Sequence, residues 1–438
     1  MSLKQHLAKA LPAGETFEVY HFQSLPRAIN GFVNRNSQDY QHAQVVKIQN
    51  FLSIAFNERI FFAIEIDTYI IMNTSTGALE RHIFIAKADT NGYSDTKVKT
   101  GEVVSCFLKY LLSINCQSYL QKIVPLHRDY GQKGTAGMIS KRTSTSKALT
   151  ILSQRRCGHS AQAPTNFATF YQSFDIGKKI GHRKTESDGI LTKISLFTRP
   201  ERQYLFSESY LNPRKHLLTG SQLLRWWLDI VNKVSMETLE LLNGRLQIPG
   251  ENETTIQKQY LASLNKSNNV WRVGSIYGDR RENVHSIPLF PDDPKTRFIK
   301  DLIGESRYMA LNLDQFWKEL QARQEFRLDV LVGVVGIVGL SKRADHWPQK
   351  EDVYVPLSLG KFKAMKSYVV GEEYNTVEGA VDARSNLHQY YCSKLGQSPL
   401  LVVGELDYAE TRTKNSPAAV QKAAVNVLSD FAVRKKAK

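Results

Sequence analysis

The sequence predicts an α/β or α+β fold, most simply one large sheet wrapped by helices, because strand-like runs alternate with amphipathic helical runs. The chain has 438 residues, of which 42% are apolar and 10% aromatic. A chain of this size can bury about three quarters of its unfolded surface. Wholesale disorder and a small disulfide-dependent scaffold are therefore excluded.

The first half of the chain supplies most of the predicted strands. Strand-like runs lie at residues 17–23, 45–55, 60–72, 82–86 and 189–197. A short polar turn at residues 57–59 joins the second run to the third and predicts a hairpin. Residues 102–114 have apolar side chains at helical spacing and predict a helix.

The second half begins with the clearest helix, at residues 221–242. Leu224, Trp227 and Val231 lie on one face of it, and Gly220 with Ser221 marks its start. Further helices are predicted at 313–323, 376–395 and 417–428, and further strands at 330–340, 368–370 and 400–404. The glycine-rich run at 333–339 lacks the spacing of a nucleotide-binding loop and predicts a core strand.

Positive charge is concentrated in two places. The net charge is +16, of which residues 128–184 contribute +9 and the last five residues +4. The internal segment is rich in small polar residues and predicts a mobile surface insertion, either a solvated loop or a docking site for an acidic partner or nucleic acid. The basic tail is typical of a nuclear-import patch or a loose nucleic-acid contact.

The cysteines and the apolar runs limit the compartment. Cys106, Cys116, Cys157 and Cys392 fit no paired metal spacing, which indicates a reducing environment. The longest apolar run, at residues 330–340, is far shorter than the roughly 20 residues of a membrane span, and residues 1–20 lack the apolar run of a signal peptide. We therefore expect a soluble intracellular protein without a metal.

The densest polar cluster is Pro291, Asp292, Asp293, Pro294 and Lys295. One interpretation is local, with Asp293 as the N-cap and Pro294 as the first residue of a helix that runs to residue 302. The other is catalytic, because adjacent carboxylates near a lysine can accept a proton or hold an ammonium group.

Two further clusters permit a structural or a functional interpretation. Asp89 and Asn91 follow a strand, where an Asx turn is one interpretation. Trp226 and Trp227 lie about 100° apart on their helix, so one is expected to pack in the core and the other to line a pocket rim.

Three segments carry a family resemblance. Residues 82–93, residues 196–200 with 203–206, and residues 287–297 together resemble the fungal Rtt-type histone H3 lysine acetyltransferases. Segments within 316–326, residues 371–374 and the tail 434–438 match as well, and the resemblance runs in order along the chain, breaking only in the basic insertion. It implies one large α/β domain with a central mixed sheet surrounded by helices, similar to CBP-type acetyltransferases. The acetyltransferase domain would then comprise residues 1–127 and 185–430, interrupted by the 128–184 insertion and followed by a 431–438 tail.

The resemblance also implies site residues. Asp293 corresponds to the proton donor and acceptor, with Asp292 beside it, and Lys295 to an autoacetylated lysine. Asp89, Trp227 and Tyr204 correspond to other active-site residues. The implied cofactor contacts are Ala88, Asp89, Thr90, Lys97, Val98, Lys99, Thr100, Gly101, Phe197, Thr198, Arg199, Glu201, His216, Leu217, Leu218 and Trp226. Glu201 departs from the small residue typical of its position.

The implied function is transfer of acetyl from acetyl-CoA to histone H3, held with H4 by acidic histone chaperones, in the nucleus. Roles in chromatin assembly and genome stability follow from the same resemblance. Because neutralising a lysine at pH 7.4 costs about 4 kcal/mol, a nearby carboxylate and apolar walls would assist direct transfer. The alternative is a non-catalytic basic module that binds chromatin or nucleic acid. Neither a membrane partner nor DNA as the primary partner is expected of the acetyltransferase.

Overall fold

One mixed sheet of ten strands organises the molecule. The computed structural model describes residues 1–29, 32, 43–73, 77–121, 123–124, 189–266, 268–278, 284–291, 293–323, 331–342 and 344–407. The strands are β1 (Thr16–Gln23), β2 (Arg27–Ile29), β3 (Ala43–Phe56), β4 (Arg59–Asn73), β5 (Leu79–Thr90), β6 (Leu191–Thr198), β7 (Leu239–Gln247), β8 (Trp271–Val273), β9 (Gly333–Ser341) and β10 (Leu400–Val403). Their order is β10-β1-β3-β4-β5-β6-β9-β7-β8, with β2 paired to β3. The β5/β6 and β7/β8 pairs are parallel and the other pairs antiparallel.

The described residues also form nine α-helices. They are α1 (Leu3–Ala8), α2 (Thr100–Ser113), α3 (Cys116–Leu120), α4 (Gly220–Thr238), α5 (Glu253–Ile256), α6 (Pro294–Gly304), α7 (Leu313–Gln321), α8 (Leu359–Val370) and α9 (Val377–Gln389). Short 3₁₀ turns lie at Ser209–Leu211, Leu264–Lys266, Val284–Ser286 and Tyr308–Ala310, and π turns at Gln257–Leu261 and Tyr390–Lys394.

Helices cover both faces of the sheet, which explains why β4 has an almost continuous apolar sequence. In β4, Ile64 and Ile66 pack with α1, α2 and α4 on one face. Tyr69 and Ile71 face the other side, where α6 and α7 pack. Helices α8 and α9 cover that second face beside β1 and β3.

The second face has a polar interval between its two apolar clusters. Glu65 and Asp67 occupy β4 between Ala63, which packs with α8 and α9, and Tyr69, which packs with α6. Because side chains alternate along a strand, these two carboxylates point to the same face as Tyr69. The fold therefore places buried acidic groups next to the start of α6.

Most predicted elements are confirmed, with longer strands than expected. The predicted hairpin turn is present, and Asn57 and Glu58 have positive φ values of 48° and 61° there. Strand β9 includes the glycine-rich run, as predicted. The predicted helix at residues 417–428 and residues 128–184 lie outside the described residues.

Two predictions are wrong. The helix predicted to reach residue 242 ends at Thr238, and strand β7 begins at Leu239. Leu241, which continued the apolar stripe, is 80% exposed and has a left-handed φ of 50° at a bulge opposite β9. The strand predicted at 368–370 is instead the last turn of α8.

Of the four cysteines in the sequence, Cys106, Cys116 and Cys392 are free thiols, and Cys157 lies outside the described residues. Among the residues that the structure describes, no helix has the length and apolar character needed to cross a membrane. Nor do those residues contain a group of three or more His, Cys, Asp or Glu side chains placed to hold a metal ion.

Candidate active site

Helix α6 begins as the sequence predicts, with Asp293 as its N-cap and Pro294 in its first turn. Asp293 Oδ1 accepts a hydrogen bond from the Lys295 main-chain N–H at 3.0 Å. Its Oδ2 accepts a second bond from Lys295 Nζ at 2.5 Å, and both side chains are fully buried. The local and the catalytic interpretations are therefore compatible at Asp293. Asp292 lies outside the described residues.

Aromatic rings surround the Lys295 ammonium group. Its Nζ lies 5.0 Å from the centroid of Phe197 and 5.8 Å from that of Tyr277. Burial lowers the pKa of Lys295, while the charge and hydrogen bond of Asp293 act in the opposite direction. Lysine at this position is therefore easier to deprotonate than a lysine in water.

Asp89 lies at the end of β5 and anchors the segment that contains Tyr204. Its Oδ2 accepts hydrogen bonds from the main-chain N–H groups of Tyr204, Leu205 and Phe206 at 2.8, 3.0 and 3.3 Å. Its Oδ1 accepts bonds from Thr90 N at 2.9 Å and Lys215 Nζ at 2.8 Å. Because five donors surround this buried carboxylate, it holds the Tyr204 segment and Lys215 in place.

The Asx turn predicted after Asp89 is present at Asn91, whose Oδ1 accepts a hydrogen bond from Tyr93 N at 3.0 Å. Gly92 follows with φ +83°, and a Cβ there would lie 2.6 Å from Lys215 N. Only glycine allows this close approach of the two segments. The turn thus fixes the position of Lys215 beside Asp89.

Tyr204 is half-buried, and its phenol is held by the main chain of its own loop. The hydroxyl donates to the Arg199 carbonyl and accepts from Glu201 N at 2.9 Å. Burial raises the pKa of Tyr204 to about 12, so the phenol is protonated at neutral pH.

The two tryptophans of α4 divide as predicted. Helix α4 starts with a capping box formed by Thr219 and Gln222. Trp227 is 6% exposed and packs in the core, whereas Trp226 is only partly buried. Their rings meet edge to face at a centroid distance of 4.7 Å. A Cβ on Gly101 would lie 3.2 Å from Trp226 Nε1, so glycine allows α2 to approach this ring.

Three cavities adjoin one another around these residues. The His216 cavity (410 Å³) and the Trp227 cavity (230 Å³) share Ala88, Glu201, Tyr204, Leu223 and Trp226 as walls. The Asp293 cavity (590 Å³) shares Ala86, Lys87, Phe197 and Pro294 with the Trp227 cavity. The Trp227 cavity therefore lies between the other two, and together they follow the carboxyl ends of β5 and β6.

The first turn of α2 borders this system. No side chain caps the helix N-terminus, in contrast to α1, α4 and α7, which have capping boxes. Val98 and Thr100 at this terminus line the His216 cavity. An uncapped helix N-terminus with main-chain N–H groups suits an anion such as phosphate.

Residues 3–390 match the histone acetyltransferase KAT11-type domain family. The chain belongs to this family. It is 29% identical over 323 residues to the histone acetyltransferase RTT109 of Candida albicans, an alignment that covers 73% of this chain and 82% of that protein. It is 32% identical over 159 residues to the rtt109 histone acetyltransferase of Schizosaccharomyces pombe, covering 35% and 42% of the two chains.

A solved structure shares the fold. The crystal structure of Rtt109 from Aspergillus fumigatus superposes with a TM-score of 0.64 at 19% identity, covering 92% of this chain and 99% of that one. The predicted fold, one α/β domain with a central mixed sheet surrounded by helices, is confirmed. Membership of the KAT11-type family supports the hypothesis that the protein is a histone acetyltransferase over the alternative of a non-catalytic binding module. Enzymes of this class use acetyl-CoA as co-substrate.

In this histone acetyltransferase the fold brings most of the predicted site residues to the three cavities. The His216 cavity is lined by Ala88, Asp89, Thr90, Val98, Thr100, Glu201, Tyr204, His216, Leu217, Leu218 and Trp226. The Trp227 cavity adds Phe197, Thr198, Arg199 and Trp227, and the Asp293 cavity adds Asp293. Lys99 and Gly101 line a neighbouring side cavity with Trp226. Lys97 and Lys295 line none of these four cavities.

Other lining residues of the acetyltransferase were not predicted. Lys215 pairs with Asp89, and Glu65 and Asp67 line the Asp293 cavity. The two acidic residues occur two positions apart in the apolar run 60–72, and this spacing places both on one face of a strand. That pattern is the signal that could have identified them.

Proposed function

We propose that this histone acetyltransferase moves acetyl directly from acetyl-CoA to lysines of histone H3 in the nucleus. The observation that carries the proposal is the continuity of the three cavities, which brings the residues expected to bind the cofactor next to Asp293. The choice of H3 rests on the resemblance of residues 82–93, 196–206 and 287–297.

The residues that line the His216 cavity have the chemistry that a coenzyme A thioester requires. Trp226 and Leu217 provide apolar surface, and the uncapped N-terminus of α2 provides main-chain donors for a phosphate. Acetyl-CoA supplies an already activated acyl group, so no enzyme nucleophile is needed. In this assignment Trp226 orients the thioester arm towards the Trp227 cavity.

The acceptor lysine would enter through the Asp293 cavity. The Asp293 carboxylate lies in a water-poor wall, where it can accept the proton that the ammonium group must lose. Phe197 and Trp227 line the passage with aromatic surface, which disfavours the charged form of the incoming lysine. Proton acceptance and desolvation would thus lower the cost of forming the neutral amine.

Lys295 is proposed to be acetylated by the enzyme itself. Its ammonium group engages the carboxylate of Asp293, and acetylation would remove the charge while leaving an amide N–H that can still donate. Without the opposing charge, Asp293 would become a better proton acceptor. Intact-mass measurement tests this modification, since an unmodified and fully active enzyme would exclude it.

Histone chaperones are proposed to deliver the substrate. A protein with net charge +16 repels free histone at long range, and an acidic chaperone would remove this repulsion. The basic segment 128–184, which lies outside the described residues, is the proposed docking segment. Its deletion should weaken chaperone binding without changing acetyl-CoA affinity, and unaltered chaperone binding at low salt would refute the assignment.

Asp293→Asn tests the catalytic proposal. We expect kcat to fall by about 100-fold or more, because a positioned general base contributes at least that factor. The acetyl-CoA Kd, measured by calorimetry, should stay within about threefold because Asp293 does not line the His216 cavity. Asp301→Asn on the exposed side of α6 is the matched control and should leave kcat unchanged. Unchanged turnover in Asp293→Asn would remove it as the proton acceptor.

A further inference from the structure

The Asp293 cavity is lined by basic side chains from four elements. They are Arg27 of β2, Lys47 of β3, Lys87 of β5, and Lys363 and Lys366 of α8. The three acidic residues that line the cavity, Glu65, Asp67 and Asp293, are all buried. The accessible charged groups that line the cavity are therefore predominantly cationic.

The buried acids offset this charge only in part, because Asp67 and Glu65 neutralise Lys47 and Lys366 and leave the other basic side chains of the cavity. Lys47 Nζ lies 2.7 Å from Asp67 Oδ2, and Lys366 Nζ lies 2.6 Å from Glu65 Oε1. Asp293 is paired with Lys295, behind the cavity wall.

Arg27 and Lys363 are exposed and belong to different elements, yet both line this cavity. Neither has an ion-pair partner among the residues that the structure describes. Two unneutralised cations at one opening produce a local positive potential that favours an anionic group there.

We infer that Arg27 and Lys363 select acceptor lysines with an acidic residue nearby in the same substrate chain. The inference rests on the proposed entry of the acceptor lysine through the Asp293 cavity. A cavity of 590 Å³ is about 10 Å across if spherical, which equals about three residues of extended chain. A carboxylate within three positions of the acceptor lysine can therefore reach the basic rim while the lysine points inward.

The shape and lining of the cavity favour a peptide carboxylate over nucleic acid. Leu357, 78% exposed, lines the mouth together with Leu359 and Leu25, and provides apolar surface for a peptide. A DNA duplex is wider than its major groove, which measures about 12 Å, so a duplex cannot enter a cavity about 10 Å across. The rim would thus rank lysines by sequence context, favouring those in mixed-charge segments over those in purely basic ones.

The test compares peptides that differ only near one acceptor lysine. One peptide has neutral flanks, and the others place a single Glu at each position from three before to three after the lysine. We expect kcat/KM to rise about three- to tenfold at the best position, from two exposed charge pairs. The gain should shrink at high salt, because surface charge interactions are screened.

Variants distinguish the effect of Arg27 and Lys363 from that of the overall positive charge of the protein. The double variant Arg27→Gln and Lys363→Gln should abolish the Glu preference, and Lys363→Glu should invert it towards a peptide with Lys at that position. Lys361→Gln is the matched control: it lies on the same helix, is exposed and does not line the cavity, so the preference should remain.

The outcomes distinguish this inference from the proposed function. Transfer to the neutral peptide with no Glu preference at any position would overturn the inference and leave the acetyltransferase assignment intact. Failure to acetylate any peptide, by an enzyme that binds acetyl-CoA and acetylates chaperone-delivered H3, would overturn the inference and leave the acetyltransferase assignment intact. Competitive inhibition by duplex DNA, relieved by the double variant, would overturn the inference in favour of a nucleic-acid contact.

Discussion

One buried carboxylate, Asp89, organises the candidate site through its hydrogen bonds. Its two oxygens accept five hydrogen bonds, which tie the end of β5 to the Tyr204 loop and to Lys215. Tyr204 in turn lines both the His216 and the Trp227 cavities. In the proposed mechanism, acetyl transfer would therefore depend on Asp89 through the position of its neighbours.

Asp89→Asn should weaken cofactor binding more than it slows transfer. An amide in either orientation places an NH₂ against existing donors and leaves Lys215, a buried cation, without an anionic partner. We expect a loss of about 3–5 kcal/mol in the free energy of unfolding and a raised Kd for acetyl-CoA. Urea denaturation and calorimetry measure the two effects.

Lys215→Met separates the roles of the two oxygens of Asp89. This variant keeps the three main-chain donors of the Tyr204 loop and removes only the cation, so its acetyl-CoA Kd should stay closer to wild type. If Asp89→Asn reduced kcat at unchanged acetyl-CoA affinity, Asp89 would have a direct chemical role instead of a positioning one.

In the proposed mechanism, the Asp293–Lys295 pair has opposite requirements in folding and catalysis. A buried lysine without a partner costs several kcal/mol, so the carboxylate stabilises the ammonium form. The same ammonium weakens the carboxylate as a proton acceptor. Acetylation of Lys295, as proposed, would resolve the conflict after folding is complete.

At the scale of elements, the contact between α2 and α4 positions the proposed cofactor site. The uncapped N-terminus of α2 faces the His216 cavity, and Trp226 of α4 lies directly against Gly101. Glu102 of α2 and Lys233 of α4 form an ion pair at 2.7 Å across the same contact. Small changes in this contact should therefore alter cofactor affinity.

Gly101→Ala should weaken acetyl-CoA binding without destabilising the fold. The new methyl group lies 3.2 Å from Trp226 Nε1, so the ring must move by a few tenths of an ångström. Alanine is favoured over glycine in a helix by about 0.5–1 kcal/mol, so stability should be unchanged or higher. We expect the acetyl-CoA Kd to rise about threefold, measured by calorimetry.

Gly360→Ala is the matched control, at the second position of α8. A Cβ there meets only Ser358 Oγ, at 3.9 Å. It should give a similar gain in helix propensity with no change in acetyl-CoA affinity. Equal affinities for both variants and the wild type would show that Trp226 tolerates displacement.

The sequence was sufficient to predict the helices and strands that have a strong local pattern. It was insufficient where tertiary contacts determine the secondary structure. Helix α6 was predicted to start at Pro294 because a cap and a proline are local signals. The end of α4 was missed because Leu241 continues a helical stripe, and only pairing with β9 turns this segment into a strand. The last turn of α8 was read as a strand because its aromatic and β-branched residues favour strands locally.

The candidate site was predictable only in part, for the same reason. Asp293, Asp89 and Trp227 were predicted from family resemblance and local motifs, and all three line the cavities. Lys215 was not found, because its role depends on a contact with a residue 126 positions away. The basic side chains that line the Asp293 cavity could not be predicted from the sequence, since they come from β2, β3, β5 and α8 and meet only in the folded protein.

At the scale of the whole molecule, the two faces of the sheet have different tasks. The face with α1, α2 and α4 contains the largest apolar cluster, and the opposite face contains the buried ion pairs beside the candidate site.

His21 of β1 is a polar group on the α2 side. Its ring packs edge-on against Phe107 of α2 at 5.2 Å and contacts the Asp352 carbonyl through Nδ1 at 2.9 Å.

His21 should make the whole fold sensitive to mild acid. Burial lowers the pKa of His21 from 6.5 to about 4, so between these values the unfolded chain binds more protons than the folded one. The stabilising contribution is complete above pH 6.5 and is lost as the pH falls towards 4. Between pH 7.5 and 5.0 this residue should remove about 2 kcal/mol from the free energy of unfolding. Urea denaturation at the two pH values should show a loss smaller by that amount in His21→Asn, whose amide can still donate to Asp352. An identical pH dependence in both proteins would mean that His21 does not become protonated on unfolding within this range.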